Sequence, residues 1–123
     1  MGTFRITIGV GDPQGQRYES VDALVDTGAT YTTLPASVLT RLGVRPHRRA
    51  EFEMADGRIV EREIGRTRVR VDGNEESVLV VFAEEGAESL LGATTLEDML
   101  LGVDPVRRRL VPVRGLLVTS RMV

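Results

Sequence analysis

The sequence predicts an all-β domain, a closed barrel or sandwich carrying one or two short helices. Short runs rich in Val, Ile, Thr and Phe recur along the chain, each bounded by Gly, Pro, Asn or Asp, the pattern of many short strands. Asp56-Gly57 and Gly73-Asn74 each stand between two such runs, which is a short-range hairpin signal. The 123 residues fit one domain and show no internal repeat, linker or low-complexity tract, so residues 1–123 read as a single unit.

Taken in order, Phe4, Ile6 and Ile8 alternate with polar or small residues, and Gly9 to Gly15 is expected to turn the chain around Asp12-Pro13. A second strand runs from about Arg17 to the apolar Ala23-Leu24-Val25. Thr30 to Leu34 is β-branched and aromatic, and Pro35 stops it. Ala36 to Leu42 is expected to form two helical turns closed by Gly43. Ala50 to Met54 and Arg58 to Ile64 flank Ala55-Asp56-Gly57. Thr67, Val69 and Val71 then alternate with Arg66, Arg68 and Arg70, which read as a solvated strand face. Val78 to Phe82 returns as a buried run, and Glu84 to Glu88 is a polar loop. Ser89 to Gly92 is a brief strand. After it, Thr94 or Thr95 is expected to cap a helix with Glu97 and Asp98 in its first turn. Leu101 to Val103, Leu110 to Val113 and Leu116 to Val118 complete the strands, with Asp104-Pro105 as a turn.

Composition excludes several chemistries. With no cysteine there is no disulfide, thiolate metal site or thiol nucleophile. His47, the single histidine, has none of the partners that a zinc site or a catalytic triad needs, so no metal and no cofactor are expected. Net charge is −2, and the 16 basic residues, all Arg, are mixed with 18 acids. The densest cluster, Arg107-Arg108-Arg109, is short of the sustained basic stripe that nucleic acid calls for. The first ten residues lack a signal peptide's apolar core, and the apolar runs are too short to cross a membrane. A cytoplasmic protein without nucleic-acid or membrane partners is expected.

The chemistry concentrates in Ala23-Leu24-Val25-Asp26-Thr27-Gly28-Ala29-Thr30. An apolar strand delivers an acid to its end, a glycine permits a tight turn, and a β-branched strand leaves. This would hold a carboxylate at the base of a groove. Asp and Gly are also ordinary turn residues, so the tripeptide alone is weak. A later apolar pair before glycine, Leu90-Leu91-Gly92-Ala93, followed by a helix, strengthens it.

These two segments in this order, with Leu34-Pro35 after the first and a β-hairpin between them, resemble the retropepsin-like aspartic proteases. The likeness is greatest to small prokaryotic members that look like free-standing retroviral proteases, and it spans about Phe4 to Val113. The resemblance implies a homodimer with its active site at the subunit interface, hydrolysing peptides or unfolded proteins with one Asp26 from each chain. It implies that Thr27 locks the two loops across the dimer axis, that Gly28 lies under the substrate backbone, and that Ala29 replaces the serine of pepsin-like enzymes. Thr30 and Tyr31 stand where retroviral enzymes often carry acids. Met54, Ala55, Asp56, Gly57 and Arg58 fall at the flap, with one glycine where retroviral flaps have several. Leu90, Leu91 and Gly92 would pack behind the catalytic loop. The competing reading is a non-catalytic peptide-binding or dimerisation module that keeps this fold.

Overall fold

A computed structural model describes residues 3–117. Strands β1 (Phe4–Gly11) and β2 (Tyr18–Val25) form a hairpin, followed by β3 (Thr32–Pro35), helix α1 (Ala36–Arg41) and β4 (Arg48–Glu53). Then come β5 (Ile59–Val71), β6 (Asn74–Ala83), β7 (Leu90–Leu91), helix α2 (Ala93–Asp98), β8 (Leu101–Asp104) and β9 (Arg109–Pro112). The main sheet has the order β1-β2-β7-β3-β6-β5-β4, and β1 also pairs with β5 through Gly9↔Arg70 and Val10↔Val69. The pairings therefore run in a ring from β1 back to itself, with β4 outside it. Strands β8 and β9 form a separate hairpin. The all-β expectation with two short helices is met.

Alternation explains the core. Ile8 and Val10 of β1, Ala23 and Val25 of β2, Val69 and Val71 of β5, and Val78 and Val80 of β6 are buried within the ring. Leu39 of α1 and Leu96 of α2 cover it. Residues bury on one strand face and face water on the other because successive side chains point in opposite directions.

Several boundaries differ from those expected. Gly9 and Gly11 are not in a turn: β1 continues through Gly11, which pairs with Tyr18. A Cβ on Gly11 would lie 2.6 Å from the Tyr18 ring, so the glycines there make room for an aromatic ring. The turn itself lies beyond, where the Asp12 carboxylate accepts the N–H groups of Gln16 (2.6 Å) and Arg17 (2.8 Å). Those bonds, led by the one from Arg17, hold Asp12 below the usual carboxylate range.

The expected strands at Arg58–Ile64 and Thr67–Val71 are one long strand, β5. It changes its buried face at Ile64-Gly65, where a Cβ on Gly65 would sit 2.9 Å from the Arg45 carbonyl oxygen. Its turn to β6 is Asp72-Gly73, since Val71 pairs with Asn74. Both turn residues have positive φ, 49° and 81°, as a two-residue hairpin loop matched to strand twist requires. Leu116 and Leu117 form no strand and are exposed, while Val118, the last residue of that expected strand, lies outside the described residues.

Helix α2 begins at Ala93 with Gly92 as its N-cap, and neither Thr94 nor Thr95 caps it. Glu97 and Asp98 close the helix instead of opening it. The reason lies in its neighbours. The Ala93 and Thr94 N–H groups donate to the carbonyls of Ala29 (2.8 Å) and Thr30 (2.9 Å), so main chain from another loop satisfies donors that a cap would otherwise take. No helix among the described residues is long and apolar enough to cross a membrane.

Candidate active site

Strand β7 is the wedge that builds the site. Its two residues pair in parallel with β2 (Leu24↔Leu90, Val25↔Leu91) and antiparallel with β3 (Thr33↔Leu90). The chain must therefore leave β2 at Asp26 and cross in front of β7 before entering β3. Asp26 is anchored where it leaves: its N–H donates to the Leu91 carbonyl at 3.2 Å, and its own carbonyl accepts the Ala29 N–H at 3.0 Å. The half-buried Asp26 carboxylate accepts the Gly28 N–H on Oδ1 at 2.9 Å. A Cβ on Gly28 would lie 3.2 Å from that same oxygen, a tight approach that glycine avoids.

Gly92 holds the loop from behind. A Cβ there would fall 2.5 Å from the Tyr31 carbonyl carbon and 2.9 Å from the Thr30 oxygen. The Gly92 N–H donates to Thr32 Oγ1 (3.1 Å), which is also 2.5 Å from Thr95 Oγ1 in the buried interior. Thus α2, β3 and the Asp26 loop share one continuous hydrogen-bonded unit. Leu91 is buried at its centre, and Leu90 reaches further, into the cleft.

In front of the loop lies a cleft of about 930 Å³ lined by Asp26, Gly28, Ala29, Thr30 and Tyr31 on one side. Met54, Ala55 and Arg58 of the β4–β5 hairpin line the other. Asp56 and Gly57 do not reach the lining and instead form the tip. Gly57 takes φ 88°, and Asp56 accepts the Arg58 N–H at 3.0 Å and its Nε at 2.8 Å. That N–H, and then the guanidinium, hold the Asp56 carboxyl below its ordinary value. Tyr31 meets Phe52 edge-on, with ring centroids 5.7 Å apart, so the hairpin packs on the loop that follows Asp26.

Sequence reasoning missed Phe52, Thr33, Val60, Arg62, Val81 and Ala83, all of which line the cleft. Phe52 stands two residues before Met54, so strand alternation would have found it. The others come from strands whose approach only the sheet order reveals. Thr27 is exposed and borders a recess of about 230 Å³ with Ala93, Leu96, Glu97, Leu101, Gly102 and Val103, away from the cleft. His47 is exposed. Among the described residues, no group of three or more His, Cys, Asp or Glu is placed to hold a metal ion.

The Asp26 carboxylate thus stands at the end of β2 and faces the β4–β5 hairpin across the cleft. The family model described as "gag-polyprotein putative aspartyl protease" matches residues 16–108. The chain belongs to this family of aspartyl proteases. The matched span of the retropepsin-like chain includes Asp26-Thr27-Gly28 and Leu90-Leu91-Gly92. The solution structure of the Simian Foamy Virus (mac) protease is similar, with TM-score 0.55 and 18% identity over 76% of this chain and 92% of that one. At that identity the likeness concerns the fold, which is retropepsin-like. No curated protein sequence matches the chain.

Proposed function

We propose that the chain is one subunit of a homodimeric aspartic endopeptidase that cleaves peptides or unfolded proteins with one Asp26 from each subunit. The observation that carries this reading is the half-buried Asp26 carboxylate at the base of a peptide-sized cleft, with one Asp-Thr-Gly segment in the chain. The reaction needs a base and an acid side by side, and a twofold axis beside Asp26 would supply both from identical residues.

Two like charges in contact do not both ionise cheaply, so the pair would hold one proton between them; this is the standard case of aspartic proteases. The ionised carboxylate takes a proton from water as its oxygen attacks the scissile carbonyl carbon. The protonated partner hydrogen-bonds and then protonates the carbonyl oxygen. Collapse of the tetrahedral diol breaks the C–N bond as the nitrogen receives a proton, leaving a free amine and a carboxylic acid. The Gly28 N–H would steady the carboxylate, the β4–β5 hairpin would act as the flap that excludes water, and Thr27 would bond across the axis. Thr30 and Tyr31 would contact the substrate main chain from the loop, and Met54, Ala55 and Arg58 from the flap.

The test is casein or peptide cleavage by purified protein at mildly acidic pH, with sedimentation in parallel. Asp26→Asn should abolish cleavage while leaving the dimer. Mixing wild type with excess Asp26→Asn should also poison activity, because a mixed dimer lacks one carboxylate. Full activity in a mixed dimer, or in a strict monomer, would overturn the shared site.

A further inference from the structure

We propose that Arg62 makes one subsite of the cleft selective for an acidic side chain of the substrate; this rests on the endopeptidase reading. Arg62 lies on β5 on the same strand face as Val60, which pairs with Phe52. On the neighbouring strands, Val81 of β6 stands beside Ile64 of β5 and Thr33 of β3. Thr33 in turn stands beside Leu90, and Leu90 pairs with Leu24, two residues before Asp26. The result is a largely apolar part of the cleft next to the catalytic loop, lined by Thr33, Phe52, Val60, Val81 and Leu90, with Arg62 in the same lining.

Two of the other charges at the cleft are held by partners of their own. Arg58 is tied to Asp56 at the hairpin tip, and Glu88 to Arg5. Glu51 and Glu53 of β4 also line the cleft but are exposed, so water screens their repulsion of a substrate carboxylate held at Arg62. Arg62 donates from Nη1 to the Glu61 carbonyl at 2.9 Å and from Nη2 to Glu84 at 2.8 Å. The two partners are unequally exposed: the Arg62 side chain is 25% accessible and that of Glu84 is 74%. An ion pair with one partner so open to water is weak, so Glu84 is a replaceable occupant. A substrate carboxylate entering under the flap would meet the same guanidinium in a drier setting, where a charge-assisted pair is stronger. An apolar side chain entering there would strip water from Arg62 and give nothing back.

A peptide library digested by wild type and variants, read by mass spectrometry, tests the idea, with thermal melts and sedimentation to confirm folded dimers. Wild type should favour Asp or Glu at one position near the scissile bond by roughly tenfold or more in kcat/KM. Arg62→Leu should remove that preference, and Arg62→Glu should turn it toward Arg and Lys. Glu84→Gln, which removes the competing carboxylate, should sharpen the acidic preference. If Arg62 only tethered the 84–88 loop through Glu84, Arg62→Leu and Glu84→Gln would change the profile alike, and that result would overturn the proposal. The library is also passed over immobilised Asp26→Asn protein, which reads the subsite without turnover. Retention of acidic peptides without any wild-type cleavage would defeat the endopeptidase reading and keep the subsite. Cleavage or retention without acidic preference would defeat the subsite alone, and the absence of both would defeat the two together.

Discussion

Among single residues, the candidate site depends on atoms behind the Asp26 carboxylate as much as on Asp26 itself. Thr32 accepts the Gly92 N–H and contacts the Thr95 hydroxyl in the buried interior. Removing Thr32's hydroxyl orphans two groups, whereas removing Thr95's leaves Thr32 still bonded to Gly92. Thr32→Val should therefore destabilise by about 1–3 kcal/mol, and Thr95→Val by clearly less. Urea unfolding of both variants checks this; equal losses would show that the Gly92 bond contributes nothing. Gly92→Ala is harsher, since its Cβ would meet Tyr31 and Thr30 main chain that cannot swing aside. A loss of at least about 1–3 kcal/mol is expected from the overpacking, together with loss of cleavage as the loop shifts. The Asp-Thr-Gly loop and the Leu-Leu-Gly segment were legible as short patterns in the sequence. Their hydrogen-bonded union through Thr32 and Thr95 was not, because threonines in a strand and in a helix carry no mark of meeting.

At the scale of elements, β1 and β2 show how one residue type can serve an unexpected end. Arg70 lies over the Tyr18 ring, 3.6 Å from its centroid, and Gly11 leaves the space below that ring. Gly11→Ala should cost about 1–3 kcal/mol, and most of that loss should vanish in a Tyr18→Ala background. A double-mutant cycle by chemical denaturation measures the coupling. Additive losses would show that the clash is not with Tyr18. The glycine-rich stretch looked like a turn because sequence cannot distinguish a glycine needed for backbone freedom from one needed for space. Helix α2 carries a parallel lesson. Thr94 and Thr95 fit the cap pattern, yet the helix starts earlier because the Ala29 and Thr30 carbonyls already accept its first N–H groups. By contrast, the β4–β5 hairpin was readable to within a residue or two, since Asp56 and Gly57 fix its turn locally.

For the molecule as a whole, both activity and stability should respond to conditions. If each site is assembled from two chains, specific activity should fall on dilution below the dimer dissociation constant and recover on concentration. Initial rates over a thousandfold dilution, with sedimentation alongside, check this. Acid should loosen the fold from a separate place. Arg70 first, then the adjacent Tyr18 hydroxyl and Arg68, hold the Glu75 carboxyl down to about 2 from an ordinary 4.5. The Tyr18 hydroxyl itself is buried without a hydrogen-bond partner, so it acts on Glu75 by proximity rather than through a well-formed bond. A carboxyl depressed in the folded state stabilises fully above its unfolded value, and that contribution is lost as pH falls from about 4.5 toward 2. Wild type should melt above Glu75→Gln at neutral pH, and the gap should close across that acidic window. A gap constant with pH would show that the ion cluster contributes nothing to stability.

The strand-rich class, the Asp-Thr-Gly segment at a strand end and the β4–β5 hairpin were already legible in the sequence. These rest on local rules: side-chain alternation, turn residues, and an Asp-Thr-Gly at the end of an apolar strand. That β7 slips between β2 and β3, that the loop after Asp26 accepts the first N–H groups of α2, and that Arg62 lines the cleft came only from the folded chain. Each of these joins segments far apart in the chain. Their contacts depend on sheet order and on which strand faces meet, and neither is encoded within any one segment. Alternation settles which residues share a face, but only packing settles what that face sees.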